Sequence, residues 1–118
     1  MTAATLIESG FSWEIHLFEK NKSLGAKVII SWGGRCNVTT AYYRRKDLES
    51  KYIRGSDFLR EAIGQFWPRK IFQWFEHHGV PLKIEQDMRV FPISDNGKDI
   101  VWVFEKIFAR GSLRLHFG

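Results

Sequence analysis

Ile30-Ser31-Trp32-Gly33-Gly34-Arg35-Cys36-Asn37 decides the reading of this chain. It follows an apolar run, Ile15 to Phe18, closed by Glu19, and Gly33 falls fourteen residues beyond that carboxylate. Paired glycines let a backbone come close to a pyrophosphate, Arg35 offers a planar fork of donors, and Cys36 and Asn37 add short polar groups. The pattern reads as half of a dinucleotide site. Its other half is a strand and a G-x-G-x-x-G turn that precede the ribose-binding acid. Neither stands before Glu19 here, so the sequence is expected to start inside the helix that follows such a turn.

One domain is the natural reading of 118 residues. With 44% apolar, 26% charged and 15% aromatic residues the composition is globular, and no apolar run approaches the roughly 18 residues of a membrane span. The first residues, Met1 to Glu8, lack a basic leader and a secretory apolar segment, which makes a reducing cytoplasm the expected compartment. Cys36 is the only cysteine, so it is expected to stay a thiol, and chemistry that relays electrons through two nearby thiols of this chain is excluded. The net charge of +5 fits nucleic acid, an anionic surface or a phosphate-bearing ligand equally well.

Along the chain, Thr2 to Ser9 has a helical pattern closed by Gly10. Trp13 to Phe18 is rich in β-formers and predicts a strand that runs out at Glu19 into the loop Lys20-Asn21-Lys22-Ser23. Lys27 to Ser31 is β-branched and short, which favours an extended segment, although periodicity also allows a helical turn. Ser56 or Asp57 is placed to cap a helix with the apolar face Phe58, Leu59, Ala62, Ile63 and Phe66. Pro68 opens a second helix through Ile71, Phe72, Trp74 and Phe75 that Gly79 stops. Val80, Leu82 and Ile84 alternate as in a strand, Val90-Phe91-Pro92 reads as an edge piece, and Asp95-Asn96-Gly97 is turn chemistry. Ile100, Val103, Phe104 and Ile107 mark an amphipathic helix ending near Gly111, and Leu113, Leu115 and Phe117 alternate in a last strand. Strands alternating with helices make the fold class α/β.

Three blocks together resemble the HI0933-like flavoproteins, bacterial FAD-binding oxidoreductases of the aminoacetone oxidase or BaiN type. The first is Leu17-Phe18-Glu19-Lys20-Asn21-Lys22-Ser23-Leu24-Gly25 with Lys27, Ile30-Ser31 and Gly33-Gly34-Arg35-Cys36-Asn37. The second is Phe58-Leu59-Arg60 with Ala62, Phe66, Pro68, Phe75-Glu76 and Gly79-Val80. The third is Arg89-Val90-Phe91-Pro92-Ile93-Ser94-Asp95. The departures are Trp32 in place of a third glycine, Thr40 for an asparagine and Trp67 for a helix-capping hydroxyl residue. The resemblance implies a partial Rossmann-like FAD/NAD(P)-binding domain lacking the first strand and the glycine-rich phosphate loop. Residues 1–118 would form one such domain, with a dinucleotide-binding remnant at 1–40, a helical segment at 56–79 and a strand-helix-strand segment at 80–118.

By the same resemblance FAD is the cofactor. Glu19 would bond the adenosine ribose, the Gly33-Gly34 backbone and Arg35 would approach the pyrophosphate or ribityl region, and Lys20, Lys27, Ser31, Cys36 and Asn37 would complete the cofactor contacts. No catalytic residue is assigned. Nanomolar binding needs about 12 kcal/mol and a charge-assisted contact nets roughly 1.5–3, so weak or lost FAD binding is expected without the phosphate loop. Unpaired strand edges also predict self-association.

Other features have plainer readings. Cys36 in a loop is more often packed than reactive. His77 and His78 diverge by about 100° on a helix and cannot share one metal ion, so they suit the helix dipole, and no metal is indicated. His16 reads as a satisfied, partly buried strand residue. Tyr42-Tyr43-Arg44-Arg45-Lys46 interleaves aromatics with cations, which leaves a small basic nucleic-acid binder as an alternative beside a non-enzymatic remnant completed by another chain. Substrate and redox partner are not written in these residues.

Overall fold

Periodicity, prolines and glycines divide the chain into six helices and five strands. The computed structural model describes Met1–Gly118. In order the elements are α1 (Thr2–Glu8), β1 (Ile15–Glu19), α2 (Ala26–Ile30), a 3₁₀ turn (Ser31–Gly34), β2 (Thr39–Thr40), α3 (Arg45–Glu49), α4 (Ser56–Gln65), α5 (Pro68–His77), β3 (Leu82–Ile84), β4 (Arg89–Pro92), α6 (Gly97–Phe108) and β5 (Leu113–Phe117). They form two compact units, Met1–Cys36 with Asn96–Gly118, and Asn37–Asp95. This division cuts the chain differently from the segments 1–40, 56–79 and 80–118. No helix is long and apolar enough to cross a membrane.

The first unit is organised by α6. Asn96 caps it, its side-chain oxygen accepting from the Lys98 amide at 3.0 Å, a contact worth about 1 kcal/mol in helices generally. The stripe Ile100, Val103 and Ile107 is buried, with Val101 and Phe108 beside it. Each such side chain contributes roughly 1.5–3 kcal/mol when removed from water. α1 and α2 both pack on α6. α1 presents the small residues Ala3 and Ala4, both buried, and Gly111 leaves room for Ile7, whose atoms would lie 2.7–3.0 Å from any Cβ there. β1 and β5 pair in parallel, from Ile15 opposite Leu113 to Glu19 opposite Phe117. The α/β class and a parallel pair of Rossmann type are therefore present.

In the second unit β2, β4 and β3 form an antiparallel sheet in that order, with α5 against β2 and β3. Pro68 occupies the first turn of α5 and Gly79, at φ +86°, lies just beyond its end, as the proline and glycine predict.

Four local expectations are corrected. Lys27 to Ser31 is not extended: residues 26–30 are the helix α2, because half-buried Val28 and Ile29 pack toward α6 and the Ser31 hydroxyl donates to the Val28 carbonyl at 2.9 Å. Packing of this kind overrides β-branched propensity over one helical turn. Val90-Phe91-Pro92 is the central strand, not an edge. Pro92 is tolerated because it ends β4: the Ile93 amide just beyond it donates to the Pro81 carbonyl, and the Val90 amide is taken by the Asn37 side chain. Ser56 and Asp57 are the first helical residues of α4, whose N-cap is Gly55 at φ +79° without a side-chain cap. Finally, α4 buries no residue. Leu59 and Ile63 are half-buried, while Phe58, Ala62 and Phe66, the neighbouring stripe, face solvent.

Candidate nucleotide-binding groove

Glu19 is the last residue of β1, at the carboxyl end of the parallel pair, where ligands of open α/β sheets bind. Its Oε1 accepts from the Asn21 amide at 2.8 Å and from the Asn21 side chain at 2.7 Å. These bonds, the backbone one foremost, hold its carboxyl below the ordinary value of 4.5, with Lys27 adding attraction. The carboxylate is therefore ionised and oriented near neutral pH. It stands on the rim of an apolar groove of about 300 Å³ lined by Met1, Leu17, Phe18, Leu24, Gly25, Val28, Val101, Phe104 and Phe108. Gly25 adopts φ +68°, and a Cβ there would meet Val101 Cγ2 at 2.5 Å. Only a glycine brings the start of α2 this close to α6.

Beyond α2 the backbone turns sharply. Trp32, Gly33, Gly34 and Cys36 have φ of 52°, 67°, 95° and 60°. The bend thus begins one residue before the diglycine, and Trp32 takes a left-handed conformation that suits glycine. The Gly34 carbonyl and the Cys36 side chain press on the N-terminus of α6: a Cβ on Gly97 would lie 3.0 Å from the Gly34 and Val28 carbonyls and 3.2 Å from Cys36 Cβ.

One face of α6 consequently runs from the diglycine bend to the Glu19 groove. Gly97 touches the bend, Val101 touches Gly25, and Phe104 and Phe108 floor the groove. That spacing is one helical stripe. Glu19 and the Gly33-Gly34-Arg35 bend are arrayed along α6, but only Glu19 lines the groove; Arg35, Ser31 and Lys20 do not. Ser31 closes α2 instead. Asn37 belongs to the second unit, where its side-chain oxygen accepts from the Val90 amide at 3.2 Å. The Cys36 thiol is buried and burial pushes its pKa up, a Ser31 hydrogen bond opposing in part. This favours a packed thiol over a reactive thiolate.

Sequence reasoning missed Gly97 and the groove residues of α6. The sequence marks Gly97 only as turn chemistry, although a glycine opening an otherwise apolar helix is a usable sign of close packing. It also missed an ordered exposed face of the parallel pair. His16 is exposed, not partly buried. Its Nδ1 lies 2.8 Å from His116 Nε2 and its Nε2 lies 3.0 Å from Glu14. Glu14 also pairs with Arg114, and the Phe18 and His116 rings stack at 4.6 Å.

The remaining motifs are absorbed locally. Arg44 is held by Asp47 at 2.7 Å and Arg45 by Glu49 at 2.7 Å, and Lys51 sits over the Tyr42 ring at 4.6 Å. The basic run is thus matched by its own acids, which weakens it as a polyanion track. The His77 and His78 rings stand at 80° to each other, and His78 Nδ1 lies 2.6 Å from the Trp74 carbonyl.

The family model described as HI0933-like protein Rossmann domain matches residues 1–117. A curated relative, the 3-dehydro-bile acid delta(4,6)-reductase of Clostridium scindens, is 22% identical over 107 residues, which cover 89% of this chain and 25% of that protein. The chain thus spans about a quarter of the length of that relative.

Proposed function

Because the chain belongs to the HI0933-like Rossmann-domain family, we propose that it forms part of an FAD-dependent oxidoreductase and holds the adenosine end of the cofactor at the Glu19 groove. The observation that carries this reading is an oriented, ionised carboxylate at the carboxyl end of β1, on the rim of a groove of about 300 Å³. That volume is at the small end of ligand pockets, so it suits a nucleoside and not a whole dinucleotide. The residues therefore fit one end of the group. Ribose hydroxyls would donate to Glu19, and the apolar lining from Leu24, Val28 and Phe104 would take the base. FAD, when bound, supplies hydride or electron transfer, and the protein orients it.

Affinity should be weak. The groove presents one carboxylate to the ligand, Arg35 lies off the lining, and nanomolar binding at about 12 kcal/mol is far beyond a few charge-assisted contacts. Fluorescence titration of FAD tests the reading: binding should saturate between micromolar and millimolar ligand, and Glu19→Ala should raise Kd about tenfold by removing the charged acceptor. Phe58→Ala, on the exposed stripe of α4, should leave Kd unchanged. No binding at about 1 mM FAD, or binding indifferent to Glu19→Ala, refutes it.

A further inference from the structure

Three titratable side chains join β1 to β5 in one line. Glu14 Oε2 lies 3.0 Å from His16 Nε2, and His16 Nδ1 lies 2.8 Å from His116 Nε2. The two imidazole planes are 14° apart and their centroids 5.1 Å. That is the separation of rings meeting nitrogen to nitrogen at hydrogen-bond distance, edge to edge, with one N–H aimed at the other ring's lone pair.

One arrangement of protons satisfies all three groups. Arg114 and then His16 hold the Glu14 carboxyl below its ordinary value of 4.5, so near neutral pH it is a carboxylate and can only accept. His16 therefore carries its proton on Nε2. When that ring is neutral its Nδ1 is an acceptor, and His116 donates to it from Nε2.

The same bond limits how many protons the pair can hold. A first added proton goes to His116 Nδ1, the one nitrogen of the two rings outside the line, and makes the cross-strand bond charge-assisted. A second must sit on His16 Nδ1, where it meets the His116 N–H head on and sets two cations side by side. Of the other charges on this face, Glu14 and Arg114 offset each other, and Lys20, the next residue there by alternation along β1, adds to the opposition.

We infer that His16 and His116 form a proton-limited clasp between β1 and β5, closed with no added proton or with one and opened by the second. The clasp ties residues a hundred positions apart within the ladder that ends at Glu19. Acid therefore loosens the strand pair that positions this carboxylate. Phe18 stacks on His116 at 4.6 Å and also lines the groove, so opening the clasp is felt there too. The inference concerns the strand pair and does not depend on flavin.

Its sign is fixed by linkage. Below the ordinary histidine value of about 6.5 the unfolded chain holds two protons on these rings where the closed clasp holds one. Stability then falls as pH falls, and one excluded proton costs the folding constant up to about tenfold per pH unit. Urea unfolding of the full chain between about pH 6 and pH 5 measures this. His116→Gln is the comparison, because its amide can donate to His16 or turn its oxygen to a protonated His16. Contributions from other groups cancel in the difference. The folding constant of the wild type should fall about threefold to tenfold more over that unit than that of the variant. Should His116→Gln fail to fold, nitrogen-15 NMR of the wild type decides. At about pH 8, where ordinary histidine is neutral, both rings should be Nε2–H, with scalar coupling from His116 Nε2 to His16 Nδ1. Equal pH dependence in the two proteins, an Nδ1–H form of either ring, or absent coupling overturns the inference.

Discussion

Gly25→Ala tests the joint on which the groove depends. The residue sits at φ +68° with Val101 Cγ2 only 2.5 Å from where a Cβ would stand. A residue with a Cβ in this left-handed region costs roughly 1–2 kcal/mol. Overpacking against a stiff, buried valine costs a further 1–3 kcal/mol or so. The variant should therefore lose about 2–5 kcal/mol, a large part of the stability of a small domain. Val101→Ala removes two methyl groups at about 0.8 kcal/mol each, plus a cavity term. If the clash is real, the double variant should cost about 1–3 kcal/mol less than the sum of the single ones. Urea unfolding measures the totals, and amide exchange along α6 localises them to the unit that holds both residues. Additive costs, or a Gly25→Ala loss within about 0.5 kcal/mol of zero, would refute the close packing and with it the shape of the groove.

Two further outcomes follow from titratable groups. The Asn21 bonds depress the Glu19 pKa below 4.5, so the Glu19–Asn21 turn is favoured above the ordinary carboxylate range and loses that support as pH falls through the depressed value. Asn21→Ala keeps the backbone bond and drops the side-chain one, so the Glu19 titration followed by NMR should move part of the way back toward 4.5; an unmoved midpoint contradicts the bonding described. Burial raises the Cys36 pKa, so an aromatic disulfide reagent should label the native thiol at least about tenfold more slowly than the unfolded chain. Equal rates would mean that Cys36 is not packed against Gly97.

Much of the local structure was legible because its signals are local. The i, i+3, i+7 spacing of Ile100, Val103 and Ile107 identifies α6, Pro68 and Gly79 delimit α5, and alternation marks β5. Glu19 at a strand end and a bend at Gly33-Gly34 were also readable from residue types. The resemblance supplied the family and placed these features in one chemical context. What misled was short: five β-branched and flanking residues at 26–30 that pack as a helix, and two apolar stripes on α4 of which only one is half-buried.

By itself the amino-acid sequence determined the helices with a full periodic face, the α/β class and the residue types able to meet a nucleotide, because propensity, capping and turn chemistry act over a few residues. Only the tertiary structure decided that Ile15–Glu19 pairs with a strand nearly a hundred residues away, that Gly25 and Gly97 admit α6 to the groove, and that His16 meets His116 on an exposed face. Those outcomes depend on which apolar surfaces exclude water together. That choice is made among distant segments competing for the same burial, and no short window of sequence contains it.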